Sequence, residues 1–414
     1  DTFRLYSVKL TNYAGETIDI GELIQEFSIE ESLFLMSCVF EFTIADAVNL
    51  IDKFKITGNE KIQVVLRKKN KEGASDEQVK KDLYFAKINQ FARPTPNAQT
   101  YKLKAISEHG YISKSKRISR SFSGKATDII SNIYSSIGGN LQVLDNKSDG
   151  NLKVVVPNYT VFDSIAWMLQ KTAKNNGSPF FVYDTAKDGA YLNSYENIIS
   201  NEPYEKYVHA YTFNNKTYSE EDFKQRRVRI QSVSSDLGFS TFTGFSEGAY
   251  TARTHKLDYA QKSYTTSDFN LFDSDVPTID KSPILDSNFL IGDESANTLK
   301  NPKNFYMNIN SYSYKDSNVQ NIYQSYTDQI AKRNSILVNL NQLTHTITLR
   351  GDFNLQPGKM IEIDLPKATD PKAGEDGSRD DLLSGKYLVV GSKHRFAKDG
   401  YKVDLKLKKD SVKR

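Results

Sequence analysis

Apolar and polar residues alternate from Phe3 to Leu10, with Phe3, Leu5, Ser7 and Lys9 on one side and Arg4, Tyr6, Val8 and Leu10 on the other. A period of two marks a strand, and the second, more apolar set is expected to face a core. Phe27 to Glu31, Ser37 to Ile44 and Lys61 to Arg67 are further strand candidates, rich in β-branched and aromatic residues. Gly58-Asn59 marks a turn before the last of them. The polar stretch Asn70 to Asp82 reads as a long hairpin tip. Leu83 to Phe91 and Tyr101 to Ile106 follow as strands around the turn Pro94-Thr95-Pro96-Asn97. Strands at this spacing predict a sandwich or barrel.

The period then changes. Ile129, Ile130, Ile133, Tyr134 and Ile137 make an amphipathic stripe that predicts a helix over Ser123 to Ile137, closed by Gly138-Gly139. A second helix is expected over Thr160 to Lys174, with Thr160 as N-cap, Asp163 three residues on, and Asn176-Gly177 as its end. Phe180 to Tyr183 reads as a strand packed on it. Strands return at Val228 to Val233 and Phe239 to Phe245. Tyr250 to Phe305 is weakly periodic and rich in Ser, Thr, Asn and Asp, as an inserted subdomain would be. Helical spacing reappears through Ile322, Tyr326, Ile330, Arg333 and Leu337, predicting a helix over Asn318 to Leu340. Thr344 to Leu349, Met360 to Leu365, Tyr387 to Val390 and Tyr401 to Leu407 close the chain as strands.

Two segments share a spacing. Phe54 is followed by Gly58 and by Ile62, Val64 and Leu66; Phe353 is followed by Gly358 and by Ile361, Ile363 and Leu365. Counted from each Phe, the three apolar positions coincide. Leu83 to Phe91 with Tyr101-Lys102-Leu103 then matches Tyr387 to Phe396 with Tyr401-Lys402-Val403 in order and character. Any two β-meanders can share such a pattern. The alternative is a duplicated barrel whose second copy is interrupted by the material from Tyr250 to Leu340. Two similar barrels in one chain would let three chains close a ring of six near-equivalent units.

Composition narrows the function classes. The chain has 414 residues, enough for about three domains. Aromatics reach 12%, with 24 Tyr and 23 Phe, which suits strands and protein interfaces. Lys plus Arg total 55 against 51 Asp plus Glu, a balance of +4 that lacks the basic footprint of a nucleic-acid binder. The basic runs Arg67-Lys68-Lys69 and Arg226-Arg227 read as solvated strand ends. Cys38 is the single cysteine and lies in an apolar run, which predicts a buried, inert thiol and no internal disulfide. The chain opens Asp1-Thr2-Phe3-Arg4 without Met, so its start is expected either to be trimmed or to lie outside this sequence. No charged leader or run of apolar residues long enough for a membrane span is read in it.

A search for chemistry finds little. His109, His209, His255, His345 and His394 are scattered, and no metal-ligand spacing, Gly-x-Ser-x-Gly elbow or phosphate loop occurs. No catalytic, cofactor-binding or metal-ligating residue is assigned. Glu30-Glu31, Glu220-Glu221-Asp222 and Asp380-Asp381 could supply a glycosidase pair, but their polar surroundings read as solvated loops, with no carboxyl in an apolar pocket. Phe353 to Gly358 is a Pro-Gly turn feeding a strand and a candidate contact between ring units. Ala373 to Asp381 reads as a hairpin tip or a partner-binding loop. The aromatics of Phe239 to Tyr250 read as core, or as an interface once a ring closes.

Gly58-Asn59-Glu60-Lys61-Ile62-Gln63-Val64 and Gly351-Asp352-Phe353-Asn354-Leu355-Gln356-Pro357-Gly358-Lys359-Met360-Ile361, in this order over nearly the whole chain, resemble the baseplate central hub protein of T-even-type contractile phages. They are also similar to the hub part of type VI secretion spikes. The resemblance implies an α+β, mainly β chain. Its parts would be a tube-protein-like β-barrel at 1–110, a small α/β domain at 111–210, a second such barrel from 211–249 and 341–414, and an insertion at 250–340. It further implies a non-enzymatic homotrimer at the centre of the virion tail baseplate, assembled in the host cytoplasm. One face would meet the tail tube or its initiator proteins and the other a spike protein, with wedge proteins as further neighbours. DNA would pass through the lumen without stable binding, and no cofactor or membrane is involved. The chain ends at Arg414 without a needle, so the spike and any lysozyme activity are expected on another chain. A β-rich adhesin or carbohydrate-binding virion protein is the alternative reading, and a cell-wall hydrolase a further one.

Overall fold

Strands dominate, and their faces are set by bulges as much as by alternation. The computed structural model describes residues 3–68, 77–209, 227–238, 240–295, 303–309, 320–367 and 379–413. The chain begins with β1 (Arg4–Thr11), β2 (Thr17–Asp19), β3 (Ile24–Ser32), β4 (Val39–Asp46), β5 (Lys61–Lys68), β6 (Glu77–Thr95) and β7 (Ala98–Ser107). Pairing of β1 with β5 shifts register between Leu5 and Ser7. The bulge there moves the buried side from Phe3 to Val8 and Leu10, and leaves Tyr6 exposed. The expected apolar face of this strand is therefore correct only beyond Ser7. The predicted tip at Asn70 to Asp82 is also shorter than expected, because β6 already starts at Glu77; residues 69–76 lie outside the described residues.

A small α/β unit follows, with β8 (Arg117–Gly124), β9 (Leu141–Val143), β10 (Leu152–Thr160), β11 (Phe180–Thr185) and β12 (Gly189–Ser194). Its first expected helix runs Ala126–Ser135, since Ser123 and Gly124 end β8 instead. Its second runs Val161–Gln170. Thr160 caps it, the hydroxyl accepting from the Asp163 amide at 3.3 Å and donating to the Asp163 carboxylate at 2.5 Å. Ile129, Ile130, Ile133, Val156, Ile165 and Met168 form the core of this unit.

Next come β13 (Lys206–His209), β14 (Arg229–Ile230) and β15 (Ser232–Leu237). The expected strand over Phe239 to Phe245 is a helix, Thr241–Ser246, with residue 239 outside the described residues. Ser240 supplies the reason: its hydroxyl accepts from the Thr243 amide at 3.0 Å, so the chain turns into a capped helix. That helix buries Phe245 and leaves Phe242 exposed.

The weakly periodic stretch carries a sheet of β16 (Thr251–Asp258), β17 (Ser263–Asn270) and, after the short β18 (Ser282–Pro283), β19 (Leu290–Ile291) and β20 (Glu294–Ser295), β21 (Asn304–Ile309). A bridge strand β22 (Gln320–Asn321) leads into the helix Ile322–Asn339; residues 318 and 319 of the predicted helix lie outside the described residues. The chain closes with β23 (Leu343–Arg350), β24 (Met360–Asp364), β25 (Gly385–Ala397), β26 (Gly400–Lys409) and β27 (Ser411–Val412).

Within one sheet of 14 strands, five lie side by side in the order β3, β4, β7, β6, β5, and five more in the order β15, β23, β26, β25, β24. Every neighbouring pair in both sets is antiparallel. The sets therefore share connectivity as well as order. They also share a bulge, between Phe85 and Lys87 in β6 and between Val389 and Gly391 in β25. The flanks differ: β1 joins β5 antiparallel, whereas β13 joins β24 parallel.

Counting from the shared bulge corrects one detail of the sequence match. Leu103 pairs with Ile88, two residues past Phe85 in the pairing order, and Leu405 pairs with Ser392 in the same place. Leu103 thus corresponds to Leu405, two residues beyond the Val403 that the sequence aligned with it. The extra irregularity between Asn89 and Ala92 in β6 is what hides this shift. Each set has its own apolar core, built on residues such as Phe42, Ile62, Val64 and Leu103 in one and Ile347, Ile361, Ile363 and Leu405 in the other.

Gly358 opens β24 at φ +82°, a region costly for any residue with a Cβ, and an added Cβ would stand 2.6 Å from the Tyr183 hydroxyl. Gly15 has the same φ of +82° and nothing within 4 Å. Gly15→Ala should therefore cost about 1 kcal/mol, from backbone strain alone. Gly358→Ala should cost roughly 1–3 kcal/mol more, from the added clash. Denaturant melts of both variants check this, and equal losses would show that Tyr183 simply moves aside.

Candidate assembly interface

The two strand sets meet where β3 pairs antiparallel with β25, Phe27 to Ser32 lying against Phe396 to Gly391. Alternation gives this joint two faces. On the exposed face Lys393 reaches Glu30 at 2.5 Å, with Arg395 bonded to Asp404 beside it. On the core face the Phe27 and Phe396 rings stack at 4.3 Å and 4°, and Phe396 stacks on Tyr401 at 4.1 Å. Phe353 belongs to the turn before β24 yet packs in the first core, 5.1 Å from Phe3 and 4.8 Å from His394. The Phe353-to-Gly358 segment is thus a contact between the two strand sets of one chain.

Four residues beyond Phe27 along β3, the core face turns polar. Glu31 is buried; it accepts from the Ala186 amide at 2.7 Å and from the Ser392 hydroxyl at 3.1 Å. Beside it the Asp184 carboxylate accepts from the Cys38 amide, the Cys38 thiol and Lys81, the last at 2.8 Å. Lys81 also donates to the Thr185 carbonyl at 2.8 Å. The end of β11 and the residue after it, Asp184 to Ala186, therefore tie the α/β unit to Cys38 just before β4, to β6 and to β3 at the joint.

Burial pushes the Glu31 carboxyl up to about 7, against the hydrogen bonds from Ala186 and Ser392. It also pushes the Cys38 thiol up, in keeping with an inert cysteine. Burial works against the Lys81 ammonium, yet Asp184 and the other acidic groups around it hold it above the usual lysine range. His394 is pressed down to about 3 by burial. Its Nδ1 bonds the Tyr401 hydroxyl at 2.8 Å, and its Nε2 lies 4.0 Å from Glu31 with no hydrogen-bond partner.

Glu31 overturns one expectation. The sequence placed Glu30-Glu31 together in polar surroundings, whereas alternation sends Glu30 to solvent and Glu31 into the interior. Asp380 caps a turn, accepting from the Leu382 and Leu383 amides, and Asp381 is exposed. Residues 220–222, and 373–378 of the expected hairpin tip, lie outside the described residues. His345 is buried between the Ser235 and Tyr387 hydroxyls, and His255 sits in an exposed stack with Tyr264 and Tyr306. Among the described residues no group of three or more His, Cys, Asp or Glu side chains could hold a metal ion. No helix among them is long and apolar enough to cross a membrane.

Both strand sets leave an edge open. The first half of β6 carries β5 on one side, but from Lys87 on that side has no strand among the described residues. Likewise, among the described residues, β15 pairs with β23 alone.

No protein-family model matches the chain, and no curated protein matches it. Solved structures do. A tail protein from Neisseria meningitidis MC58 superposes with a TM-score of 0.55 at 14% identity, covering 99% of this chain and 97% of that one. A 43 kDa tail protein of prophage MuSo2 from Shewanella oneidensis superposes with a TM-score of 0.53 at 9% identity, covering 97% of each. An E. coli type VI secretion component, described as similar to T4 tail proteins gp27 and gp5, reaches 0.44 at 7% identity over 100% of this chain and 79% of that one, too loose to carry an argument. The chain therefore has a mainly β fold with some helices, and that fold is shared with phage tail proteins over nearly its whole length.

The polar joint should be visible in the pH dependence of stability. Glu31 holds its proton in the fold up to about 7 and loses it near 4.5 when unfolded. Its contribution is thus full below 4.5 and is lost as the pH rises through 7. His394 runs the other way, its contribution present above 6.5 and lost as the pH falls towards 3. Above 6.5 only the Glu31 loss remains, at up to about 1.4 kcal/mol per pH unit. Glu31→Gln should therefore gain stability relative to the parent between about pH 5 and about pH 8. Thermal melts at both ends check it; a constant difference would mean that Glu31 is ionised throughout.

The Lys81–Asp184 pair gives a second prediction. Their side chains are 16% and 5% exposed, and removing one partner strands the other charge. Lys81→Met should cost about 3–5 kcal/mol, while Lys81→Met with Asp184→Leu should recover much of it. Chemical denaturation of the single and double variants reads this directly, and additive losses would contradict the coupling.

Proposed function

We propose that this protein is the central hub of a contractile phage tail baseplate, a structural ring subunit and not an enzyme. Residues 1–110 and residues 211–249 with 341–414 are its two tube-type β units. Residues 111–210 form the α/β domain that clamps them, and 250–340 is an insertion. Three chains bring six near-equivalent units into one ring. One face of that ring matches a six-fold tail tube and the other seats a three-fold spike protein. The ring sits at the centre of the baseplate, with wedge proteins around it and a lumen through which DNA passes.

The observation that carries this reading is the repeated five-strand order, joined edge to edge within one chain. A lone barrel needs no such joint. Two units sharing a connectivity and a bulge, set side by side in one sheet, supply one third of a six-unit ring. The fold shared with tail proteins supports it, and so do the hub-like glycine turns. The near-neutral balance of +4 suits a duct that lets DNA slide. The work of such a subunit is mechanical: matching symmetries and passing thrust through strand pairing and large interfaces.

Light scattering of the purified chain, alone and with its spike protein, should give three copies. Negative-stain images should show a ring with a central hole. A chain that stays monomeric in both settings overturns the proposal.

A further inference from the structure

The joint inside one chain is a template for the joint between chains. β25 in the second strand set corresponds to β6 in the first, aligned through the shared bulge, so Gly391, Ser392 and Lys393 correspond to Lys87, Ile88 and Asn89. β3 in the first set corresponds to β15 in the second. Ile29 opposes Phe40 and Ser235 opposes His345, while Phe40 and His345 oppose Ala105 and Leu407 in turn. Glu30, Glu31 and Ser32 therefore correspond to Asp236, Leu237 and Gly238. Within the chain, Gly391, Ser392 and Lys393 lie opposite Ser32, Glu31 and Glu30. The counterparts of both partners are the two open edges described above.

We infer that the open edge of β6 pairs antiparallel with the open edge of β15 in a second copy of this chain, with Ile88 opposite Leu237 and Asn89 opposite Asp236. This rests on the ring reading and adds to it the strands and the register. The side chains at the two edges fit the pairing. Leu237 is 47% exposed although its position is the counterpart of buried Glu31, and Ile88 is half-buried. In the inner joint that place is polar because Ala186 and Ser392 bond Glu31 there. In the outer joint it becomes an apolar pair, each side chain covering the other. On the opposite face Asp236 is exposed, and the register sets Lys87 diagonally across from it, within reach of an ion pair. The contact is heterologous, since β6 meets β15 and never itself. It therefore propagates from copy to copy until it closes, and it hides two edges that would otherwise invite non-specific strand addition.

Asn89→Cys combined with Asp236→Cys tests the register. Six strands lie between β6 and β15 along the sheet of one chain, seven strand spacings or about 33 Å of sheet, and a denaturing gel without reductant distinguishes a disulfide between chains from one within a chain. Buried Cys38 stays in place. Mild oxidation should convert most of the protein to a covalent ladder ending at three chains, with each single variant remaining free of it. Lys87→Cys with Asp236→Cys, two residues out of step, should cross-link far less. Lys393→Cys with Glu30→Cys is the internal control, forming a disulfide inside each chain. If light scattering gives three copies and the control closes, but Asn89→Cys with Asp236→Cys does not, the register is wrong and the ring stands. If the chain is monomeric with and without the spike protein, the ring falls and this joint with it. A ladder running past three overturns the closed joint in favour of a filament.

Discussion

The pairing of β3 with β25 is the constraint on which the rest of this structure depends. It fuses two strand sets into one sheet, so each set loses its freedom to turn against the other. Slipping β3 by one residue along β25 would carry Phe27 to the exposed face, away from Phe396, and bring Glu30 into the core, away from Lys393. Register is therefore held by burial on one face and by opposite charges on the other. The stacked Phe27–Phe396–Tyr401 rings add a geometric lock that aliphatic residues would not supply.

The α/β unit makes that joint rigid. Asp184, Thr185 and Ala186 reach into it and bond Lys81, Cys38 and Glu31. A polar cluster of this kind contributes little net stability compared with an apolar filling. What it contributes is uniqueness, because each donor and acceptor is matched only when three parts of the chain are in place together. Such a network holds the two β units at one angle better than loose apolar contact would.

The joint inside the chain and the one proposed between chains need not be chemically alike. Inside the chain the α/β unit can cover Glu31, so a carboxyl is tolerated there. At the open edges Ile88 and Leu237 stand in the matching places, where dehydration by a neighbour favours apolar groups. In the proposed ring, near-equivalent units would keep the same backbone pairing while their side chains differ, so that three chains would present three-fold chemistry on a six-fold frame.

Much of this was legible in the alternation alone. The strands of both sets other than β15, which runs Ser232–Leu237 where a strand is expected over Val228 to Val233, the helix capped by Thr160, the buried Cys38 and the repeated spacing from Phe54 and from Phe353 follow from local patterns, because strand faces, caps and turns are short-range effects. Three things were decided only by the tertiary structure. The bulges at Tyr6 and after Asn89 shift which residues face inward, and nothing local announces them. The stretch after Ser240 became a helix because one hydroxyl capped it, against an aromatic content that favours strands. Glu31 went from a solvated acid to a buried one because a segment some 150 residues away, Ala186, came to cover it. Burial by a distant partner is a property of the assembled chain, and no window of sequence contains it.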